Sequence, residues 1–357
     1  MTSWTRFAAA ALAASLFAAG GCDDGGEDPI TCPTGTTYDG EVCRFDCPPG
    51  WTRQEGGAKQ CAPSCPEQFS PTADYCAPAC PPGSTADGMA CEPDGLDEIP
   101  AGCPSGDDLY DSEGAAGTVI AVDQATGSAD GDGTQLAPFA TLGQALAAAD
   151  ASGADEVSIL LGAGDYEPTE SISGPGFSTL RILGRCAEET RVLASGASSP
   201  LMILRAGLEV DIRRVGFSGS PTAVFVNAAS SLSITDSTFT GWSETGGAVS
   251  WLGSDAEERL VVQRSRFVGG ASDAISVQKI EEVILTENVF ETASELSAVQ
   301  ISEPTDVEVR SNRFDGSGAW GLQLDLEGGG VAVVADNRLT GTWNHGIAVD
   351  EIGRAHV

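Results

Sequence analysis

Leu260-Val-Val-Gln-Arg-Ser-Arg-Phe267, Val283-Ile-Leu-Thr-Glu-Asn-Val-Phe290 and Val307-Glu-Val-Arg-Ser-Asn-Arg-Phe314 are three copies of one eight-residue phrase. Each keeps an apolar residue at its first and third positions, the period of a strand with one buried face. Each places Ser or Asn two positions before a closing Phe. The phrase recurs upstream at residues 210–217 and 232–239, and downstream at 332–339, where Leu339 replaces Phe. Successive closing residues are 22, 28, 23, 24 and 25 positions apart. A second strand family interleaves with it: Ala223-Val-Phe-Val226, Ala248-Val-Ser-Trp251, Ala274-Ile-Ser-Val277, Ala298-Val-Gln-Ile301, Gly321-Leu-Gln-Leu324 and Gly346-Ile-Ala-Val349. Its steps are 25, 26, 24, 23 and 25.

Two strand families sharing one period of about 24 residues describe a coil that returns to its own starting point. Each turn then stacks on the last by one strand spacing, about 4.8 Å. The expectation is an all-β fold, a right-handed parallel β-helix over residues 157–351. Phe217, Phe239, Phe267, Phe290 and Phe314 form an internal ladder in this reading, and Ser237, Ser265, Asn288, Asn312 and Asn337 form a polar one beside it. A propeller blade needs about 40 residues or more. A leucine-rich repeat would need Leu where this chain has Val, Ile, Phe and Gly.

Residues 104–156 read as a linker and an opening cap. Asp130-Gly-Asp-Gly-Thr134 is followed by Pro138-Phe-Ala-Thr141 and by Leu142, Ala145, Leu146 and Ala149 at helical spacing, with Thr141 as N-cap. Val157, Ile159 and Leu161 then alternate as a strand that ends at Gly164-Asp-Tyr166. This run resembles the opening of β-helix proteins of the pectin-lyase-like superfamily, in which the helix covers the open end of the coil. The polar ladder is similar to that family's as well. Asp123, Asp130 and Asp132 match no complete calcium loop, so a plain turn is the reading there.

The amino terminus reads as an export signal over residues 1–21: Arg6, then an apolar Ala-rich stretch of 15 residues, 7–21. That is short of the roughly 20 residues a spanning helix needs. Ala19-Gly-Gly-Cys22 resembles the bacterial lipobox, which implies a lipid on Cys22, membrane association through that lipid, and a place in the bacterial envelope. Residues 22–31 form a lipidated acidic linker.

Residues 32–103 are a cysteine array. Cys32, Cys43, Cys47, Cys61, Cys65, Cys76, Cys80 and Cys91 are spaced 11, 4, 14, 4, 11, 4 and 11, and four Cys-Pro pairs open units of 15 to 18 residues. Units so small cannot bury a core and need covalent staples. The spacing alone would also suit zinc; export favours disulfides. The simplest pairing is 32–43, 47–61, 65–76 and 80–91, which sequence does not fix. Cys103 and Cys186 remain, and the expectation is that they join each other. A nucleophilic cysteine would need a histidine, and the chain has two.

Charge narrows the partners. There are 52 acidic residues against 18 basic ones, a formal net charge of −34. Phosphate backbones would be repelled, which argues against nucleic acid. Many pectin-lyase-like relatives cleave or bind acidic polysaccharide on the outer face of a strand stack. Here that face presents Phe225, Ser250, Ser276, Gln300, Gln323 and Ala348 in one column, and Asn227, Leu252, Gln278, Ser302, Asp325 and Asp350 in the next. No Lys or Arg stands in either column to remove a sugar proton. Asn344-His-Gly346 only faintly resembles the Gly-His-Gly of polygalacturonases. No catalytic residue, metal or cofactor is therefore assigned. Asp325, Asp350 and His345 are a possible surface site, with a solvated acidic face as the plainer account. Trp251 is expected in the core, and Trp242 and Trp343 either pack in turns or serve as sugar platforms.

Residues 352–357 match the translation of a common sequencing adapter, and the reading is a coil cut short after Glu351. The functional expectation is a non-catalytic envelope module for binding or adhesion, with polysaccharide or another envelope component as partner. A polysaccharide lyase or hydrolase with divergent or missing catalytic rungs is the alternative.

Overall fold

The computed structural model describes Cys103 and the chain from Leu109 to His356, apart from residues 168–171, 173–175, 194–199, 206, 220, 228, 244–246, 254–257, 294, 327–329 and 351–353, together with eight short strands between Thr36 and Pro93. The export signal, Cys22 and the eight array cysteines' pairing lie outside the described residues and side chains. Within the array the backbone forms antiparallel hairpins. Thr36–Tyr38 pairs with Cys43–Phe45, Trp51–Arg53 with Cys61–Pro63, and Ser84–Asp87 with Ala90–Pro93.

From Thr118 onward the chain is a parallel β-solenoid with three stacks of strands. The first stack is a ten-stranded sheet. It starts with Thr118–Val122, Glu156–Leu161 and Thr179–Gly184, and runs through Glu209–Arg213, Ser231–Thr235, Arg259–Gln263, Glu282–Thr286, Asp306–Arg310 and Val331–Ala335 to Arg354–His356. The second stack contains Gly216–Ser218, Thr238–Thr240, Arg266–Val268 and Val289–Ala293. The third contains Met202–Arg205, Val224–Asn227, Val249–Leu252, Ile275–Gln278 and Ser297–Ser302. Arg313–Asp325 and Arg338–Asp350 run unbroken through the second and third stacks. Gly316 and Gly341 permit this continuity, since a Cβ on Gly316 would strike the Thr292 carbonyl and one on Gly341 the Gly316 carbonyl.

The sheet thus begins inside the opening segment, at Thr118. Its register also continues into Arg354–His356, where the sequence has left the repeat. Backbone pairing does not require the side-chain pattern, which explains that continuation.

The eight-residue phrase, which reads as one strand, is two strands bent through a corner. Arg214, Asp236, Arg264, Glu287, Ser311 and Asp336 occupy that corner with φ between 44° and 57°. A non-glycine residue there costs roughly 1–2 kcal/mol. The corner amides offset this by joining the ladder: Asp236 N donates to Gln263 O, Arg264 N to Thr286 O and Glu287 N to Arg310 O, each at 3.2 Å. In the phrases from 232 onward the polar ladder comes next. The amide of Ser237 donates to Ser265 Oγ, that of Ser265 to Asn288 Oδ1, that of Asn288 to Asn312 Oδ1 and that of Asn312 to Asn337 Oδ1, at 2.9–3.2 Å. Buried amides that turn away from the sheet are satisfied in this way.

Inside the coil, Phe217, Phe239, Phe267, Phe290 and Phe314 stack face to face, with centroids 4.7–5.1 Å apart and planes within 14°. Burying one such ring contributes about 1.5–3 kcal/mol. Helix Leu142–Ser152 packs against Thr118–Val122 and turns Leu142, Ala145 and Ala149 inward. Thr141 and Gln144 form a capping box at its start, and Gly153 closes it at φ 66°. A disulfide joins Cys103 to Cys186, with Cα atoms 5.0 Å apart, and fastens the segment before the cap to the end of the third strand. Among the described residues no helix is long and apolar enough to cross a membrane.

Candidate functional site

The outer face of the third stack is built by strict alternation. Val249, Trp251, Ile275, Val277, Val299, Ile301, Leu322 and Leu324 point into the coil and are buried. The residues between them point out. The register aligns Phe225, Ser250, Ser276, Gln300, Gln323 and Ala348 as one column, and Asn227, Leu252, Gln278, Ser302, Asp325 and Asp350 as the next. Both columns are those the repeat predicts. From Phe225 and Asn227 to Gln323 and Ser302 neither column carries a charge.

The other two faces differ. The first stack carries Arg181–Glu156 (2.5 Å), Arg213–Asp211 (2.6 Å), Arg310–Glu308 (2.6 Å) and the pair Arg259–Glu282. The second carries Arg191–Asp165 (2.6 Å) and Arg266–Glu291 (2.7 Å). Polar atoms on the third face are engaged mainly by hydrogen bonds between rungs. Ser297 Oγ donates to Gln323 Oε1 at 3.2 Å, and Gln278 Nε2 donates to Glu303 Oε1 at 3.0 Å. Lys279, at the corner beside Gln278, lies 3.9 Å from Glu303.

A third column borders the face where the second stack turns into the third. Trp320 and His345 are partners in register, and their rings stack with centroids 6.0 Å apart and 18° between planes. His345 is exposed and Trp320 half-buried. Ser297 pairs with Trp320, and its amide donates to Asp273 Oδ1 at 3.0 Å. Asp273 is 7% exposed. Burial pushes its carboxyl up to about 6, with the Ser297 amide pulling the other way. Sequence reasoning gave Trp320 no role of its own and missed Asp273. Each stands one residue before the small residue that opens the repeated four-residue phrase, Gly321 or Ala274, and extending that alignment back by one position reaches both.

Asp325 and Asp350 are also partners in register, so the expected acidic pair exists, one rung apart. His345 is five residues before Asp350 along the same strand and does not belong to that pair. Trp251 is 2% exposed, as expected of a core residue. Trp242 is 4% exposed and gives no sugar platform. It lies edge-on to Phe267, donates Nε1–H to Ser272 O at 3.1 Å, and is covered by Gly270. Trp343 is half-buried, with Nε1–H donating to Thr340 O at 2.8 Å.

Elsewhere, Asp123 and Asp132 bond within their own turns. Asp123 Oδ1 accepts from Ala125 N, Thr126 N and Thr126 Oγ1. Asp132 Oδ1 accepts from Thr134 N, and its carboxyl is held below the usual range by Thr134. Both are turn caps. Cys103, Cys186 and Glu189 lie together, but the two sulfurs are bonded to each other, so the group offers one carboxylate. A cleft of about 440 Å³ opens where the third stack turns into the first, lined by Glu258, Arg259, Glu281, Glu282, Thr305 and Asp306.

Residues 202–356 match a family model described as right handed beta helix region. With the three parallel stacks, this makes the segment a right-handed parallel β-helix. No curated protein and no solved structure matches the chain.

Proposed function

We propose that this protein is an exported, lipid-anchored envelope module that binds glycan on the outer face of the third stack and does not turn it over. The observation that carries the reading is the pair of outward columns, Ser250–Ser276–Gln300–Gln323 and Asn227–Gln278–Ser302, interrupted by Leu252. Hydroxyl and amide groups donate and accept alike, as sugar hydroxyls do. They repeat at about 4.8 Å, close to the advance of one sugar along an extended chain. Trp320 and His345 add an aromatic edge beside them. Export is supported by the signal-like amino terminus ending at Cys22 and by the Cys103–Cys186 disulfide, since such bonds persist in oxidising compartments.

A second reading has one observation in its favour. Asp325 and Asp350 are one rung apart, about 4.8 Å, near the separation retaining glycosidases use, ~5 Å. A hydrolase would release reducing ends and a lyase unsaturated ends. Affinity electrophoresis through polysaccharide gels, run with assays for both products, separates the readings. Retardation without product is the expected result. Product release would establish the enzyme, and migration unaffected by any polymer would remove the glycan reading. Labelling with a palmitate analogue should be lost in Cys22→Ser; unchanged labelling would remove the anchor.

A further inference from the structure

We infer that the glycan held on this face is a neutral polymer and not a polyuronate. The inference rests on the binding reading above and narrows its ligand. In a chain of formal charge −34, the two columns ahead of Asp325 hold Phe225, Asn227, Ser250, Leu252, Ser276, Gln278, Gln300, Ser302 and Gln323, none of them ionisable. Of the ion pairs described above, Lys279–Glu303 lies at the border of this strip, and the others stand on the other two faces.

The borders of the strip are anionic. Asp325 and Asp350 close one end, Asp273 lies in the adjoining corner column, and Glu303 lies beside Gln278. The neighbouring cation, Lys279, faces Glu303 at 3.9 Å. A polyuronate carries one carboxylate per sugar. Several would lie on amides and hydroxyls, within a Debye length of about 8 Å of these acids. Recognition of carboxylates normally recruits Arg forks or Lys. A neutral sugar meets no such penalty, and its hydroxyls bridge Gln300 and Gln323 in either hydrogen-bonding sense.

The test uses the full chain with dextran, galactomannan and xyloglucan as neutral probes, and polygalacturonate and alginate as acidic ones, each with and without added salt and calcium. Saturable retention by at least one neutral polymer, little changed by salt, is expected. Gln300→Lys should weaken that retention by about tenfold, while Glu308→Gln, on the first stack, should leave it alone. Circular dichroism checks that both variants keep the coil. Retention by polyuronates alone, lost on Gln300→Glu, would keep the site and overturn the neutral assignment. Neutral binding insensitive to Gln300→Lys in a folded variant would also overturn it. Failure to retain any polymer would instead remove the binding reading itself.

Discussion

Asn288 and Asn312, 24 residues apart, share one oxygen: both the backbone amide and the side-chain Nδ2 of Asn288 donate to Asn312 Oδ1, at 2.9 and 3.0 Å. Asn312 Nδ2 in turn donates to Leu285 O and Arg310 O, each at 2.9 Å. Replacing Asn312 by Ala leaves two donors and two carbonyls of this buried corner to find other partners. Each buried group left unpaired costs roughly 1–3 kcal/mol. Asn312→Ala should therefore lower stability by several kcal/mol in denaturant titrations. Asn312→Ser, the residue present at Ser237 and Ser265, should cost less. Equal losses in both variants would contradict the ladder.

Phe267 lies between Phe239 at 4.7 Å and Phe290 at 5.0 Å, with Trp242 against its edge. Phe267→Ala should cost about 3–5 kcal/mol. Phe267→Leu, which imitates Leu339 in the terminal coil, should cost less. Because each coil touches only its neighbours, hydrogen exchange should accelerate first in the strands from Ser231 to Thr286. Uniform acceleration along the whole coil would contradict this local coupling.

The Asp273 carboxyl is raised from 3.8 to about 6. A group raised in the folded state contributes stability that is present below its unfolded pKa and lost as pH climbs through the folded value. The loss runs from about pH 4 to pH 6 and amounts to no more than roughly 3 kcal/mol. Asp273→Asn keeps an acceptor for the Ser297 amide and removes the titration. Its melting temperature should exceed that of the parent at pH 7.5 and converge with it at pH 4. A variant melting in parallel with the parent across that range would show the carboxyl to be ordinary.

Glu287 holds φ at 56° in the corner between two strands. Glu287→Gly relieves the left-handed cost but adds backbone entropy to the unfolded chain, so stability should change by less than about 1 kcal/mol. Glu287→Val should destabilise by about 1–2 kcal/mol or more, since a branched side chain tolerates this conformation poorly. Calorimetry on both variants decides it, and a neutral Val variant would argue against the corner.

Cys103 and Cys186 close a loop of 83 residues of sequence separation. Chain entropy alone assigns such a closure roughly 4.5 kcal/mol. Reduction or Cys186→Ser should lower the unfolding midpoint and open the opening segment to protease. Identical cleavage of oxidised and reduced protein would count against the clip.

These elements were unevenly legible in the sequence. The inward and outward columns of the third stack follow from a period of two and a fixed repeat, so Ser250, Gln300 and Asp325 are placed by counting. The corner was hidden because Arg264, Glu287 and Ser311 do not announce a left-handed turn as glycine would; their amides are satisfied by residues more than 20 positions away. The burial of Trp242 depends on Gly270, in a loop whose length varies from coil to coil. The Trp320–His345 stack required knowing which loops shorten into continuous strand, a matter settled by Gly316 and Gly341 closing on the Thr292 and Gly316 carbonyls.

The disulfide also sets where a pull is felt. Tension entering from the amino-terminal side reaches Cys103 and crosses directly to Cys186, so residues 104–185 lie off the line of force. The cap helix and the first strands of the long sheet are then shielded from tugging, and any peeling must begin beyond the third strand, at the coils that carry the outward columns. In the oxidised protein the extension gained on stretching should be shorter by that bypassed length. A coil held by its leading end would keep its lid closed while the rungs after Cys186 took the load.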